Sequence, residues 1–291
     1  MKKIVVKIMA VFLAVMMLTG TGTVFAKVRN KSTGPELNFR MEELHVMNGD
    51  EDLYGEMYLP VEEQEKYPTI VMCHGLGSNA NAVAHHAKYF ATNGFAAYIF
   101  DVRHGGNGCR SGENGADMTQ LSPLTVCDDL NAVIDFLKTL PYVDADHFFL
   151  GGVSMGGFMS AYVSAQRPDE IKAIILQSPG FSITETYAGK YNSPDEVPET
   201  EEVRGMVLGK KWILDAMDLD IYEHIKNYKN PVLIGHGDAD EIVDLSYAQK
   251  AAEIYENATL IVYPKVGHAF AGKDRDNFEA ECLEFLKAQL D

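Results

Sequence analysis

The stretch Gly152-Val153-Ser154-Met155-Gly156 constrains this chain more than any other. An apolar run, Phe148 to Leu150, enters it, and a helical pattern from Phe158 to Ala165, stopped by Pro168, leaves it. A G-x-S-x-G pentapeptide between a strand and a helix predicts a sharp turn. The serine there must take strained backbone angles, and the residues two before and two after must be small. Such a turn lifts the Ser154 hydroxyl above the sheet and leaves the Met155 amide at a helix N-terminus, facing the place where negative charge would develop.

The rest of the chain supplies the sheet. Leu37 to Met47 and Leu53 to Leu59 read as strands joined by the hairpin signal Asn48-Gly49-Asp50. Strand and helix then alternate. Strands are expected at Thr69–Cys73, Phe95–Phe100, the run into Ser154, Ile171–Gln177, Pro231–Gly235 and Thr259–Tyr263. Helices are expected at Ala80–Asn93, Pro123–Leu140, Ser246–Glu256 and Asp274–Leu290. This is an α/β pattern: an antiparallel lead-in, then a mostly parallel sheet with helices on both faces. The rhythm breaks at 180–230, roughly 50 residues where a short crossover would suffice. That insertion reads as a polar segment, Tyr191 to Glu202, followed by helix from Glu202 to Asn227. Its place above the strand ends makes it a lid.

Residues 1–26 are set apart from this domain. Lys2, Lys3 and Lys7 form a basic start, Ile8 to Leu18 an unbroken apolar run, and Val24-Phe25-Ala26 a small-residue cleavage site. These are the marks of a secretory signal peptide, so the expected product is secreted, runs from 27 to 291 and keeps no stable membrane anchor. Removing the three lysines takes the formal charge from −17 to −20. A surface that acidic repels nucleic acid and anionic lipid, which excludes both as partners. Cys73 and Cys127 sit in apolar patterns and read as buried thiols, with a Cys109–Cys127 bridge left open.

A serine hydroxyl needs a base, and the base needs a carboxylate to hold its tautomer. His268 follows a strand late in the chain, after Gly267. His85 and His86, adjacent on a helix, are expected to point apart and to suit neither a base nor a metal pair. The carboxylate should come from Asp238-Ala239-Asp240-Glu241 or Asp244, giving the order serine, acid, histidine. Asp240 is taken for that role, and the others as turn formers. His74-Gly75-Leu76-Gly77 follows an earlier strand, and its glycines let the Leu76 amide join that of Met155 around an oxyanion. His74 reads as a structural hydrogen-bonder. The sequence contains no dinucleotide fingerprint and no Cys/His metal spacing, so neither cofactor nor metal is expected.

With those residues in hand, the chain resembles the α/β-hydrolases, and within them the bacterial feruloyl (cinnamoyl) esterases, from about Glu43 onward. The resemblance rests on H-G-x-G at His74–Gly77, G-x-S-x-G at Gly152–Gly156, H-G-x-x-D at His236–Asp240 and Gly267-His268. Arg167 to Ala173 and Asp220 to Glu223 are also similar. The group often carries an aromatic residue where this chain has Leu76, and a proline where it has Asp244. The resemblance implies Ser154 as nucleophile, His268 as general acid and base, Asp240 as its orienter, and Leu76 and Met155 as oxyanion amides. It further implies a pocket shaped by the insertion; the apolar and aromatic side chains that the insertion carries, Trp212 and Tyr187 among them, are expected to wall that pocket and touch an ester substrate, small or polymer-linked. The activity expected is hydrolysis of short acyl or hydroxycinnamoyl esters. A serine peptidase of the prolyl-oligopeptidase kind shares the same catalytic domain, but no propeller-sized region precedes it here. A binding module without catalysis would not be expected to carry the whole triad.

Overall fold

The computed structural model describes residues 26–27 and 38–290. The expected leader, apart from Ala26, lies outside the described residues. The strands are β1 (Ala26–Lys27), β2 (Phe39–Leu44), β3 (Val46–Asn48), β4 (Glu51–Leu53), β5 (Gly55–Pro60), β6 (Tyr67–Cys73), β7 (Ala96–Phe100), β8 (Val143–Val153), β9 (Ala173–Gln177), β10 (Thr200–Val203), β11 (Met206–Gly209), β12 (Val232–Gly237) and β13 (Ala258–Tyr263). The helices are α1 (Ala84–Thr92), α2 (Pro123–Leu137), α3 (Met155–Gln166), α4 (Ser182–Tyr187), α5 (Lys210–Met217), α6 (Ile221–Ile225), α7 (Leu245–Ile254) and α8 (Gly272–Lys287).

Among the described residues, nine strands form one sheet in the order β1-β2-β5-β7-β6-β8-β9-β12-β13. The lead-in pairings, β2 with β5 and β5 with β7, are antiparallel; from β7 to β13 every pairing is parallel. Parallel strands need crossovers, and the helices that supply them cover both faces, so whole strands are apolar rather than alternating. In β7 every residue is buried: Ala96, Tyr98 and Phe100 face the α2 and α3 side, while Ala97 and Ile99 face α1 and α8. α2 starts where the sequence predicts. Ser122 caps it in a reciprocal box with Thr125, and Pro123 occupies the first turn, where a missing N–H costs nothing.

The insertion differs from expectation. Thr200 to Gly209 is not helix but a β10–β11 hairpin, turning at Arg204 (φ 53°) and Gly205 (φ 79°). Two consecutive positive φ values make the tight turn that matches strand twist, and Gly205 favours it. The hairpin packs where a side chain on Gly209 would strike the Thr119 carbonyl, 1.9 Å from its Cβ position. Only α5 and α6 keep the predicted helical character. All four cysteines are free thiols: Cys109 Sγ donates to the Val102 carbonyl at 3.1 Å, and Cys127 is buried against the core. No helix among the described residues is long and apolar enough to cross a membrane.

Candidate active site

β8 delivers Ser154 and α3 begins immediately after it. Ser154 sits at φ 57°, ψ −119°, a conformation that side-chain-bearing residues rarely adopt. Three backbone hydrogen bonds hold it there. Its N–H donates to the Gln177 carbonyl at 2.9 Å, and its carbonyl accepts from Phe158 at 3.1 Å and Gly180 at 2.8 Å. The flanking glycines are required by contact. A Cβ on Gly152 would lie 2.2 Å from the Gly156 carbonyl carbon, and one on Gly156 would lie 2.1 Å from the Cys73 carbonyl oxygen. The strain at the serine is thus sustained by packing that only glycine permits.

The loop after β12 carries Asp240. Its Oδ1 accepts from the Ile242 N–H at 2.8 Å and the Val243 N–H at 3.0 Å, while its Oδ2 lies 2.8 Å from His268 Nδ1. Burial raises the Asp240 carboxyl pKa, but these hydrogen bonds outweigh burial and hold it below the usual carboxylate range. The competing acids do other work. Asp238 accepts from the Lys265 N–H, and Asp244 caps the N-terminus of α7 through Ser246. A carboxylate accepting at Nδ1 places the proton there and leaves Nε2 of His268 as the basic nitrogen.

The loop after β6 runs beside Ser154: a Cβ on Gly75 would lie 3.4 Å from Ser154 Cβ. His74 is buried, its Nδ1 donating to the Gly75 carbonyl at 2.8 Å and its Nε2 accepting from the Val102 N–H at 3.2 Å. Burial lowers its pKa, so it stays a neutral brace, as the sequence suggests. Met155 is the first residue of α3, whose opening amides have no acceptor within the helix. A side chain on Gly180 would crowd that amide, since its Cβ would lie 3.2 Å from Met155 N.

Ser154, His268 and Asp240 open onto one cleft of about 1050 Å³, whose wall also includes Leu76 and Met155. The insertion roofs it: Tyr187, Arg204, Met206 and Trp212 all line it. Tyr187 and Trp212 are at the same time 2% exposed and part of the main apolar core, so they hold the insertion together while lining the cleft. The hairpin tip is fastened to the acid's loop, Arg204 Nη2 donating to the carbonyls of Glu241 and Ile242 at 3.3 Å each.

The histidine pair on α1 does not splay as expected. The His85 and His86 rings lie with centroids 4.0 Å apart and planes tilted by 40°, and both line the cleft. Glu279 of α8 draws them together, 3.0 Å from His86 Nδ1 and 3.9 Å from His85 Nε2. One donor atom from each of the three lies within 4.8 Å of the others, the one such group among the described residues. Burial, with the nearby Arg275 and Lys88 cations adding to it, lowers the His85 pKa to about 3 and keeps that ring neutral. His236, a residue that the sequence alone does not mark as functional, brings its Nε2 to 3.2 Å from Asp240 Oδ2. Its only signal was its place in H-G-x-x-D.

The profile of the serine aminopeptidase S33 family matches residues 64–210, half of the chain, and that of the dienelactone hydrolase family matches residues 218–288. Dipeptidyl peptidase 8 of Homo sapiens is 26% identical over 262 residues, taking in 82% of this chain but 27% of that protein, so the chain spans about a quarter of that relative's length. The bifunctional esterase/perhydrolase DCH of Acinetobacter calcoaceticus is 23% identical over 266 residues, covering 76% of this chain and 92% of that one. Among solved structures, ferulic-acid-bound Est1E of Butyrivibrio proteoclasticus superposes with a TM-score of 0.76 at 23% identity, over 85% of this chain and 99% of that one. At that identity the likeness is one of fold.

Proposed function

We propose, for a chain that belongs to the serine aminopeptidase S33 family and has the α/β-hydrolase fold, that it hydrolyses carboxylic esters through Ser154, His268 and Asp240. The observation that carries this reading is the 2.8 Å contact from His268 Nδ1 to the Asp240 carboxylate on the wall of the cleft that holds Ser154. Ser154 Oγ attacks the ester carbonyl as His268 Nε2 takes its proton, and the Leu76 and Met155 amides receive the oxyanion. His268 then protonates the departing alcohol. Water, activated by the same nitrogen, releases the acid and restores the serine.

The substrate is an ester with a short acyl or hydroxycinnamoyl group, held by burial against Trp212, Tyr187 and Met206. A wall of this kind works at roughly 25 cal/mol per Å² of apolar area and separates similar acyl groups poorly, which favours a broad esterase. Export through residues 1–26 belongs to the same reading. The family's name and the likeness to dipeptidyl peptidase 8 favour a second reading, cleavage of peptide bonds. A panel of matched esters and anilides separates the two: esters are expected to outpace amides by orders of magnitude, and the reverse order would replace the first reading by the second. Ser154→Ala and His268→Ala should each remove nearly all turnover, and the double variant little more, because the two act as a unit. Failure of the wild type to react with a fluorophosphonate would point to a binding module.

A further inference from the structure

We propose that His236 is a positioning residue for this reaction, its Nε2–H bracing the Asp240 loop and drawing charge from the carboxylate oxygen that serves His268. The inference rests on the ester-hydrolysis reading above for its kinetic consequence, though not for its geometry. His236 lies at the end of β12, four residues before Asp240, and is fully buried. Its Nε2 lies 2.9 Å from the Val243 carbonyl oxygen. A carbonyl can only accept, so Nε2 carries the proton and the tautomer is settled. The same nitrogen is 3.2 Å from Asp240 Oδ2, the oxygen that His268 Nδ1 also reaches at 2.8 Å. Two imidazoles therefore converge on one carboxylate oxygen, while two backbone amides occupy the other.

The second ring nitrogen explains why His236 stays neutral. Nδ1 is buried and has no hydrogen-bond partner among the described residues. Protonating it would bury an unpaired N–H on a cation, and burial accordingly lowers the His236 pKa. The charged and titratable groups facing it are Asp240, His268 and Asp244. Beyond these, the Arg204 guanidinium bonds the carbonyls of Glu241 and Ile242 in the same loop. A neutral donor suits the place. It keeps Asp240 ionised, ties Val243 to the strand end, and adds no charge that would repel the imidazolium forming on His268.

The sign of the effect follows. Without the His236 N–H, more negative charge rests on Oδ2, the imidazolium of His268 is better stabilised, and the base is set free only at higher pH. In His236→Phe the acidic limb of the kcat profile for a p-nitrophenyl ester should move up by roughly half a unit or more, with KM within about twofold of wild type. In His236→Gln, whose amide nitrogen can reach the Nε2 position, the limb should return to within about 0.2 of a unit. ¹⁵N imidazole spectra of the wild-type protein should show His236 as a neutral Nε2–H ring across about pH 5 to 8. A folded His236→Phe with an unmoved limb, equal shifts in the Phe and Gln variants, or a His236 that titrates or protonates at Nδ1 in those spectra would each overturn the proposal. The spectra decide it even where His236→Phe does not fold. Full activity in Ser154→Ala would instead show that the reaction at this site was misread.

Discussion

Asp240→Asn changes one atom and should nearly silence the enzyme. In the native loop Oδ1 faces two N–H donors, Ile242 and Val243, and Oδ2 faces two more, His268 Nδ1 and His236 Nε2. An asparagine has one oxygen to offer. With its oxygen toward the backbone amides, its NH₂ group meets both imidazoles. His236 cannot give way, because the Val243 carbonyl requires its Nε2 proton. His268 must then accept at Nδ1 and carry its proton on Nε2, the nitrogen that, in the proposed mechanism, takes the proton of Ser154. With the amide flipped, the NH₂ opposes two backbone donors that the turn holds in place. Either way the productive tautomer is lost, and turnover should fall by about 10⁴, or about 5 kcal/mol of transition-state stabilisation. Steady-state hydrolysis of p-nitrophenyl acetate, with circular-dichroism melts to verify folding, measures this. Asp238→Asn is the internal control. Its side chain only accepts from the Lys265 N–H, which an amide oxygen can also do, so the loss should stay within a few-fold. A folded Asp240→Asn that keeps more than about a tenth of its turnover, or an Asp238→Asn that falls as far, would refute the tautomer role of Asp240.

Trp212 and Tyr187 hold the insertion to the core as well as line the cleft, so alanine there should cost about 3–5 kcal/mol of stability. Trp212→Phe and Tyr187→Phe are the cleaner probes; they should reorder rates across an acyl-length and methyl-ferulate series, and an unchanged ranking would remove the lid as the specificity element. Hydrogen bonds from Arg167, together with Lys138, hold the Glu170 carboxyl at a pKa lowered to about 2. Its folded pKa lies below its unfolded one, so the stability it adds is complete above about pH 4.5 and fades as pH falls toward 2. Melts of Glu170→Gln should therefore lose less than wild type over that window, and parallel losses would refute the linkage. Intact mass of the exported product should begin at Lys27, and a product retaining Met1 on the membrane would refute cleavage.

What sequence alone determined about this protein is what neighbours along the chain enforce. The spacing of Gly152, Ser154 and Gly156 demands a strained turn because the clashes that forbid side chains there are set by the turn's own backbone and by the strand beside it. Apolar strands between amphipathic helices likewise announce a covered parallel sheet, since hydrophobic periodicity follows local geometry. Tertiary structure decided the rest. Asp238, Asp240, Glu241 and Asp244 are chemically near-equivalent in sequence. Only the loop's path, sewn to the Val266 carbonyl by the Ala239 N–H, brings Asp240 and not its neighbours to His268. Thr200 to Gly209 carries a pattern that helix or hairpin could satisfy, and packing beside Thr119 with the tip fastened near Asp240 selects the hairpin. His85 and His86 point apart on an ideal helix surface, yet Glu279, nearly 200 residues later, draws both rings to one side. His236 is one letter of a motif in sequence; burial removes water from its surroundings and leaves the Val243 carbonyl to accept its proton, 3.2 Å from the Asp240 carboxylate. Except at His236, whose partners lie four and seven residues on, the deciding partner is distant in sequence, and a buried polar group takes its meaning from whichever partner the fold supplies.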